Sequence, residues 1–539
     1  MMALLCVSIF VHDLPQTLRD IAQATEGGAD MVELRIDRMT DPAAVRELAE
    51  KCILPAIVTC RARWEGGQCD LSDEKRLKLL AAACHGQVRY LDIEFATARA
   101  GDDLPVGRPI ITSSHDFLGR PERLHNLLLE MDSGPGAVSK IAWTARSVRD
   151  CVEAFEILQH RTRPTIALCM GEAGLPSRIL AGKFGGFLTF ASLDAGNATA
   201  SGQMTLADMK RLYHWDRIGQ NTKVYGVVGQ PIMHSMSPAI HNSAFDVVGH
   251  DGVYLPLPVE GGYESFKAFM ETWLHHPGLD LAGLSVTIPH KKNALRYLKE
   301  LAAKAGSDRA LQVNGATMGL EVRIEPLAES IGAVNTIVVD RVAGEMPTSR
   351  VPVRLRGFNS DYAAILDTIT EAMSIDRTGL AGLHVGVIGA GGTGRTAVAA
   401  LAHCGASVTI YNRTLERAKE LASEFDGRTG HVSVQAMDKL AGAEHEILIH
   451  TTSIGMHPKT DASAFDGNMP RLSFRTLVFD AVYNPAQTKL LRQARDAGAK
   501  TVSGLEMFVR QAAMQFELWT GKPAPRDLMR QVVLDRLSR

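Results

Sequence analysis

The sequence predicts an α/β protein with a TIM (β/α)8 barrel at the N-terminus, followed by a two-lobed α/β region that contains a Rossmann domain. The barrel is predicted by eight short apolar runs that alternate with helical stretches such as 14–25 and 148–160 within the first 215 residues. Eight such units in about 200 residues are typical of a compact barrel. The Rossmann domain is predicted by the apolar run 384–388, which leads into a glycine-rich loop and an alanine-rich helix.

The eight strand candidates of the barrel are apolar runs bounded by polar or turn residues. They span residues 4–10, 31–36, 55–61, 90–95, 109–114, 140–145, 165–170 and 186–193. In a TIM barrel the chemistry takes place at the carboxyl ends of the strands. The polar residues at those ends are therefore the candidates for a site.

The composition excludes several classes of protein. With 539 residues, 45% hydrophobic, 22% charged and a net charge of −2, the chain resembles neither a disordered protein nor a nucleic-acid binder. No apolar run is long enough to span a bilayer, and the N-terminal run has neither the basic region nor the cleavage site of a signal peptide. The eight cysteines form no C-x-x-C pair, which indicates reduced thiols rather than disulfides or a metal site. A cytoplasmic protein without metal is expected.

Charged side chains in the predicted barrel indicate carbonyl chemistry. Glu33, Arg35 and Asp37 alternate along the second strand and therefore share one face. A buried, unpaired ammonium is costly, so Lys140 in the sixth strand is interpreted as a nucleophile for a ketone. His115 could then move protons around the resulting imine. A single inward ion pair or histidine would fit a purely structural role equally well.

The same strand ends resemble the type I 3-dehydroquinate dehydratase family over essentially all of residues 1–215. The matching segments are VELRID (32–37), CRARWEGG (60–67), SSHDF (113–117), KIAWTA (140–145), MGEAGLPSR (170–178) and ASGQ (200–203). The resemblance implies that Lys140 forms the Schiff base, that His115 is the general acid/base with Glu65 beside it, and that no cofactor is needed. The substrate-binding residues it implies are Ser8, Glu33, Arg35, Arg61, Arg178, Thr199 and Gln203. The family usually has a proline where Ser201 stands, so closure of this last loop is expected to differ.

A second region begins after the short polar segment 216–222, which is predicted to be a linker. Four polar clusters at strand ends precede the glycine-rich loop, and they predict a substrate lobe. A Lys–Asp pair there can pass a proton to a carbonyl oxygen as a hydride arrives. The predicted domains are a barrel at 1–215, a substrate lobe at 223–361, a Rossmann domain at 362–505, and C-terminal helices at 506–539 that pack back on the substrate lobe.

The choice of dinucleotide can be argued from the second strand of the Rossmann domain. A lone G-x-G-x-x-G motif is weak evidence, but here it lies between a strand and a helix, and a further strand, 407–411, follows. NAD-selective folds place an acidic residue after that strand. This chain has Asn412, Arg413 and Thr414 there, with Arg417 one turn later. Guanidinium groups suit a 2′-phosphate, which favours NADP, although Arg417 alone could be an ordinary surface charge.

From about residue 224 to the C-terminus the chain resembles shikimate dehydrogenase. The matching segments are GQPIMHSMSP (229–238), SVTIPHK (285–291), GAVNT (332–336), GFNSD (357–361), GAGGTGR (389–395), YNRT (411–414), DAVYNP (480–485) and GLEMFVRQAA (504–513). The resemblance implies that Lys291 and Asp361 are the catalytic pair. It implies substrate contacts from Ser235, Ser237, Thr287, Asn335, Asp361, Tyr483 and Gln511. The NADP-binding residues are expected to be Gly389, Gly391, Gly392, Thr393, Gly394, Asn412, Arg413, Thr414, Arg417 and Gly504.

Two of the departures from the dehydrogenase family are a changed residue and a lengthened segment. His450 stands where the family usually has asparagine, before the Thr451–Ser453 turn. Residues 299–323 lengthen the segment between two family motifs and are expected to form an extra helix and loop. Neither departure changes the class of reaction that the resemblance implies.

The two resemblances together predict a two-lobed α/β dehydrogenase fused to a dehydratase barrel, for two consecutive steps of the shikimate pathway. The expected small-molecule partners are 3-dehydroquinate, 3-dehydroshikimate and shikimate, with no nucleic acid or membrane partner, and a homo-oligomer is left open. Two alternatives remain at this point. One is an enzyme of the degradative direction that prefers quinate, and the other is a non-catalytic sensor that has kept the folds for ligand binding.

Overall fold

The structure of the chain is a computed structural model that describes residues 3–100, 103–194, 196, 202–305, 311–313, 316–318, 320–341, 353–427 and 430–538. Thr199 of the predicted substrate site lies outside these residues. The chain divides into two compact units. The first contains residues 1–225, 251–259 and 268–281, and the second contains residues 226–250, 260–267 and 282–539. The domain boundaries expected from the sequence stay a prediction.

The first 215 residues contain eight parallel strands, neighbours in the order β7-β6-β5-β4-β3-β2-β1-β8. The strands are β1 (Leu4–Phe10), β2 (Met31–Arg35), β3 (Ala56–Thr59), β4 (Val88–Glu94), β5 (Ile110–Asp116), β6 (Val138–Thr144), β7 (Thr165–Met170) and β8 (Leu188–Ala191). The amide of Phe187, next to β8, donates to Thr165 O on β7 at 2.8 Å. The outermost strands of the sheet thus also meet, and the predicted TIM barrel is confirmed.

Helices alternate with these strands, as the sequence pattern predicts. They are α1 (Leu14–Glu26), α2 (Pro42–Lys51), α3 (Asp73–Ala82), α4 (Phe95–Ala100), α5 (Leu124–Asp132), α6 (Asp150–Gln159), α7 (Leu175–Ile179) and α8 (Leu206–Arg211). The first two begin where an aspartate caps the free amides and a proline lies in the first turn. Asp13 accepts from Gln16 N and Asp41 accepts from Ala43 N, which fixes the start of each helix.

The interior of the barrel changes from apolar to polar along the strands. An apolar cluster near the strand starts contains Cys6, Met31, Ile111 and Val138. Two residues further along the same strands are Ser8, Glu33, Ser113 and Lys140. Because side chains alternate with a period of two, these polar residues point to the same side as the apolar ones. The polar side chains therefore lie next to a packed apolar layer in the barrel interior.

The next part of the chain forms a mixed sheet in which β9, β11, β15, β16 and β14 are neighbours in that order. Its elements are β9 (Lys223–Gly229), α9 (Ser237–Val247), β10 (Gly252–Pro258), α10 (Tyr263–His275), β11 (Leu281–Val286), α11 (Lys291–Ala305), β12 (Leu311–Val313), β13 (Ala316–Met318), β14 (Leu320–Ile324), α12 (Pro326–Ile331), β15 (Thr336–Arg341) and β16 (Val353–Phe358). Strand β15 pairs antiparallel with both β11 and β16. The residues predicted as a substrate lobe thus form an α/β layer.

The expectation of an extra loop after the helix in the segment 299–323 is wrong. Helix α11 extends to Ala305, but β12 and β13 pair antiparallel, and β14 pairs in parallel with β16. The sequence LEVRI of β14 alternates apolar and polar residues, which is the pattern of a half-buried strand. The added residues therefore include strands, one of which joins the sheet.

The Rossmann prediction is confirmed by a parallel sheet in the order β19-β18-β17-β20-β21-β22. Its elements are α13 (Ser360–Met373), β17 (His384–Ile388), α14 (Gly392–His403), β18 (Ser407–Tyr411), α15 (Leu415–Phe425), β19 (Val432–Gln435), β20 (Ile447–His450), β21 (Leu477–Asp480), α16 (Lys489–Asp496) and β22 (Lys500–Ser503). The helices α17 (Gly504–Thr520) and α18 (Arg526–Leu537) end the chain. Trp519 of α17 donates to Ile337 O of β15 at 3.1 Å, so α17 packs on the mixed sheet.

Candidate active sites

The first pocket opens at the polar end of the barrel and collects every predicted dehydratase residue that the structure describes. Its lining residues are Ser8, Glu33, Arg35, Arg61, Glu65, Gly66, His115, Phe117, Lys140, Ala142, Leu168, Met170, Arg178, Phe190 and Gln203. These side chains come from strands or strand ends around the barrel, which explains why residues distant in sequence meet. The parallel strands bring their carboxyl ends to one face.

Lys140 is buried between two carboxylates. Its Nζ lies 2.8 Å from Asp92 Oδ2 and 3.5 Å from Glu33 Oε1, and 4.5 Å from the ring centroid of Phe190. Burial alone would raise the pKa of Asp92, but the positive charges of Arg61 and Lys140 hold that pKa well below its ordinary value. An anion therefore stands beside the amine, ready to balance a positive charge on its nitrogen.

Glu33 is held as a carboxylate by its neighbours. Ser8 Oγ donates to Glu33 Oε2 at 2.8 Å, and Thr59 Oγ1 donates to Oε1 at 2.9 Å. Burial works to raise the pKa of Glu33, but the charges of Lys140 and Arg35 outweigh it, so that the pKa is lowered. Ser8 and Glu33 therefore form one side of the environment of Lys140.

His115 and Glu65 form a neutral pair. His115 Nδ1 lies 2.7 Å from Glu65 Oε1. Burial raises the pKa of Glu65 to about 8 against the opposing charge of Arg61, while burial, with Arg61 and Lys140, lowers the pKa of His115 well below its ordinary value. At neutral pH the carboxyl proton is therefore donated to Nδ1, and Nε2 bears the histidine proton. Once the pair has lost one proton, the remaining proton lies between Nδ1 and Glu65, and Nε2 is free to accept a proton.

Arg178 differs from Arg35 and Arg61 because it is buried and forms no ion pair with a carboxylate of the described residues. Its residue is 3% exposed, and among the described residues its Nε atom has no hydrogen-bond partner. Burial lowers its pKa to about 10. Arg61, by contrast, is bound to Asp92 at 2.6 Å and Arg35 to Asp37 at 2.7 Å. The guanidinium group of Arg178 is therefore available to bind an anionic group of the substrate.

Sequence reasoning missed two contributors to this pocket. Asp92 was visible as a polar residue in the fourth strand, and its alternation with Glu94 was a signal that it faces inward. Phe190 gave no such signal, because an aromatic residue in an apolar strand looks like any core residue. Its position below the lysine became apparent only from the packing.

The second pocket contains the predicted dehydrogenase residues. It is lined by Val227, Ser235, Ser237, Ser285, Val286, Thr287, Lys291, Asn335, Asp361, Thr393, Ala481, Tyr483, Gly504, Met507, Phe508, Gln511 and Gln515. At its centre, Lys291 Nζ lies 2.5 Å from Asp361 Oδ2, with both side chains largely buried. The two residues begin α11 and α13. A buried Lys–Asp pair in a pocket can exchange a proton with a bound ligand.

A hydrogen-bond network supports this second pocket. Asn335 Oδ1 accepts from Ser360 N at 2.8 Å. Gln515 Nε2 donates to Thr336 Oγ1 at 3.0 Å, and Gln515 Oε1 accepts from Ser285 Oγ at 2.8 Å. Sequence reasoning missed Gln515, although it follows Gln511 by one helical turn and so lies on the same face of α17.

The glycine-rich loop follows β17 and leads into α14. Gly389 has φ +111°, and a Cβ at Gly394 would lie 2.2 Å from Gly389 O, so both positions require glycine. A Cβ at Gly391 would meet nothing within 4 Å, which leaves that side open to a ligand. Together with the free amides at the start of α14, this loop fits a pyrophosphate.

The residues predicted to select the phosphate form of the dinucleotide lie after β18. Arg413 and Arg417 are exposed, and neither forms an ion pair with a carboxylate of the described residues. Asn412 Nδ2 donates to Thr414 O at 2.7 Å, which shapes the turn. Two unpaired guanidinium groups and no acidic residue at this point fit a 2′-phosphate.

In the part of the chain that the structure describes, no group of three or more His, Cys, Asp or Glu side chains could hold a metal ion. Among the same residues, no helix is both long and apolar enough to pass through a membrane.

Comparisons with known proteins follow the same division of the chain. The model of type I 3-dehydroquinase matches residues 5–220. Three models match parts of the remainder: the shikimate dehydrogenase substrate-binding domain at 227–313, shikimate / quinate 5-dehydrogenase at 371–481, and the shikimate 5′-dehydrogenase C-terminal domain at 504–534. The first model thus falls on the barrel, the second on strands and helices of the mixed sheet, the third mainly on the Rossmann sheet, and the fourth on α17 and α18.

Relatives match either the whole chain or its second part. The chloroplastic bifunctional 3-dehydroquinate dehydratase/shikimate dehydrogenase of Arabidopsis thaliana is 37% identical over 98% of this chain and 84% of the relative. A shikimate dehydrogenase (NADP(+)) of Methanosarcina acetivorans is 37% identical over 59% of this chain and 99% of its own. A solved shikimate 5-dehydrogenase of Thermus thermophilus, in complex with NADP(H) and shikimate, is 29% identical over 58% of this chain and 99% of its own, with a TM-score of 0.44. The chain belongs to the bifunctional 3-dehydroquinate dehydratase/shikimate dehydrogenase family.

Proposed function

We propose that the barrel dehydrates 3-dehydroquinate to 3-dehydroshikimate, and that the second half reduces this product to shikimate with NADPH. The observation that carries the proposal is the presence of two complete sets of reactive groups in one chain. Lys140 stands beside Asp92 and near the His115–Glu65 pair in the barrel, and Lys291 pairs with Asp361 in the second pocket. The two reactions are consecutive, because the product of the first is the substrate of the second.

In the barrel, Lys140 Nζ attacks the ketone carbon, and loss of the carbonyl oxygen as water leaves a protonated imine. The imine acidifies the neighbouring C–H, and His115 Nε2 accepts that proton in the form of the pair that has already lost the proton of Glu65. The same pair returns a proton to the hydroxyl at the β position, which leaves as water. Asp92 balances the charge on the imine nitrogen. Hydrolysis of the imine then releases the unsaturated ketone and restores the amine.

In the second pocket, Lys291 donates a proton to the oxygen of the ketone that is being reduced, and Asp361 holds the lysine in place for this transfer. NADPH, when bound, supplies the hydride to the carbonyl carbon. The glycine loop and the start of α14 hold the pyrophosphate, and Arg413 with Arg417 holds the 2′-phosphate. Ser235, Ser237, Thr287, Asn335, Tyr483 and Gln511 orient the substrate hydroxyl and carboxylate groups.

Neither alternative reading of the sequence receives support. A sensor without catalysis would not need to bury a lysine between two carboxylates together with a neutral His–Glu pair, and no observation favours quinate. The direct test supplies the purified full-length chain with 3-dehydroquinate and NADPH and follows the loss of NADPH. A second arm starts from 3-dehydroshikimate. Consumption in both arms supports the proposal, whereas no consumption in either arm would contradict it.

The available guanidinium group of Arg178 leads to a prediction about substrate affinity. We expect Arg178→Gln to raise KM for 3-dehydroquinate by about 10- to 100-fold, because a hydrogen bond to a charged group contributes roughly 1.5–3 kcal/mol. The change in kcat should be smaller, because the lysine and the His–Glu pair stay in place. Steady-state kinetics of dehydration measure both constants.

The matched control for this prediction is Arg99→Gln, which removes an exposed arginine bound to Glu130. Surface ion pairs contribute little, so its KM should equal that of the parent. An unchanged KM in Arg178→Gln would show that the carboxylate of the substrate is held elsewhere.

The exposed arginines after β18 lead to a prediction about cofactor choice. We expect Arg413→Ala to lower kcat/KM for NADPH by about 10- to 100-fold, since charge-assisted bonds to phosphate are among the strong hydrogen bonds. The value for NADH should stay unchanged, because NADH has no 2′-phosphate. Lys419→Ala, which removes an exposed cation of the same helix region, serves as the control. Equal losses with both dinucleotides would contradict the assignment.

A further inference from the structure

A buried chain of three polar side chains lies at the carboxyl ends of β20 and β21, outside the lining of either pocket. His450 and Asp480 are the last residues of these strands and are register partners in the parallel ladder. Both side chains are completely buried. The third member is Thr452, in the turn that follows β20. Buried polar groups of this kind persist only where all of them are hydrogen-bonded.

The hydrogen bonds that link His450, Asp480 and Thr452 have one consistent direction. Asp480 accepts from Val482 N at 3.0 Å and from Thr488 Oγ1 at 2.6 Å, so it acts as a carboxylate acceptor. His450 Nδ1, 2.8 Å from Asp480 Oδ1, therefore carries a proton and donates it. In a neutral ring Nε2 is then an acceptor, and the hydroxyl of Thr452 lies 2.5 Å from it.

Thr452 in turn contacts the glycine-rich loop. Its Oγ1 accepts from Ile454 N at 3.2 Å, so the hydroxyl is fully used. A Cβ added at Gly389 would lie 2.8 Å from Thr452 Cγ2 and 2.8 Å from Thr451 Oγ1. The rotamer that places the hydroxyl of Thr452 on His450 is thus the one that packs its methyl group against Gly389. Thr451 Oγ1 also donates to Ile388 O at 2.9 Å.

We propose that His450 is a positioning residue for the reductase reaction. Held by Asp480, it fixes the rotamer of Thr452, and the Thr451–Thr452 turn then supports the glycine-rich loop in the conformation that binds the pyrophosphate of NADPH. The same order of groups occurs in nucleophilic triads. None of these three side chains lines either pocket, so we assign them a positioning role rather than a catalytic one. This inference rests on the proposed dehydrogenase function of the second half.

The test measures two quantities on the full-length chain. The first is Kd for NADPH from a titration of nucleotide fluorescence, which requires no turnover. The second is the pair of constants KM and kcat for reduction of 3-dehydroshikimate. We expect His450→Ala and Thr452→Val each to raise Kd and KM for NADPH by about tenfold, the size of effect typical of one buried hydrogen bond, with a much smaller change in kcat.

The double variant His450→Ala/Thr452→Val distinguishes a chain of contacts from two separate effects. If His450 acts through Thr452, Kd of the double variant for NADPH should not exceed the larger Kd of the two single variants. The reason is that the effects of residues in one network do not add. Thr452→Ser keeps the hydroxyl but removes the methyl group that packs against Gly389, so it should also raise Kd for NADPH. His431→Ala, which removes an exposed histidine of the same sheet, should leave Kd unchanged.

Far-ultraviolet circular dichroism reports whether each variant is folded, because the dehydratase residues lie in the other compact unit and their activity does not report on His450 and Thr452. An unchanged Kd for NADPH in His450→Ala and in Thr452→Val would overturn the inference, as would a multiplication of the two single effects in the double variant. A parent chain that binds NADPH but does not reduce 3-dehydroshikimate would instead overturn the proposed function. Because Kd is measured without turnover, the two failures are distinguishable.

Discussion

Lys140→Arg should abolish dehydration of 3-dehydroquinate while leaving reduction of 3-dehydroshikimate at the parent rate. Arginine keeps the positive charge between Asp92 and Glu33 but cannot form an imine, because its guanidinium stays protonated. Without the imine the neighbouring C–H is not acidified, and we expect kcat to fall by about 10⁴-fold or more. The rate of formation of the conjugated ketone, measured by ultraviolet absorbance, gives the effect.

Borohydride supplies an independent measurement of the same lysine. When 3-dehydroquinate and borohydride are added together, the reduced imine should label the parent chain covalently, and mass spectrometry of peptides should place the label on Lys140. Lys140→Arg should remain unlabelled. The control is Lys210→Arg, which changes a lysine paired with Asp216 and should be labelled like the parent. Equal labelling of Lys140→Arg would show that another amine is the nucleophile.

The strands of the barrel could be predicted from the sequence because each is a separate apolar run between polar turns. Strands β1 and β7 have the predicted bounds exactly as their apolar runs begin and end. Parallel strands buried on both faces are short apolar runs between polar turns, so their number could be counted. The bounds of the other barrel strands shift by a few residues, because hydrogen bonding to neighbouring strands, rather than composition, decides where a strand ends.

The site residues were predicted as a set, but their electrostatic states were not. The residue types at the strand ends indicated a lysine, a histidine and a carboxyl group. Whether Glu65 is neutral depends on its burial, and whether Asp92 is charged depends on its contacts with Arg61 and Lys140. Both are properties of the folded pocket. For the same reason the unpaired state of Arg178 could not be deduced from its position in the chain.

His450 illustrates the remaining gap. The sequence showed only that histidine replaces the usual asparagine of the family. Its partner Asp480 lies 30 residues later in the sequence and is brought to it by the pairing of β20 with β21. A ring held between Asp480 and Thr452 is a tertiary feature. It could be found only once the register of the two strands was known.

The second large effect is expected at the Lys291–Asp361 pair. Lys291→Met should lower kcat for reduction of 3-dehydroshikimate by about 10²- to 10⁴-fold, the usual contribution of a positioned acid or base. Methionine is similar in length but can neither donate a proton nor bind Asp361. KM for NADPH should change much less, because the glycine loop and Arg413 do not depend on this charge. Initial rates of NADPH loss at saturating substrate measure the effect.

The neighbouring residue provides the matched control, because Lys292 is exposed where Lys291 is largely buried. Lys292→Met should reduce 3-dehydroshikimate at the parent rate, and both variants should dehydrate 3-dehydroquinate normally, since Lys140 and His115 line a separate pocket. Asp361→Asn should also lose most activity, because the amide cannot hold the ammonium in a charged pair. If Lys291→Met kept more than about a tenth of the parent kcat, proton donation would have to come from another group. Loss of both reactions in Lys291→Met would instead indicate unfolding rather than the removal of a proton donor.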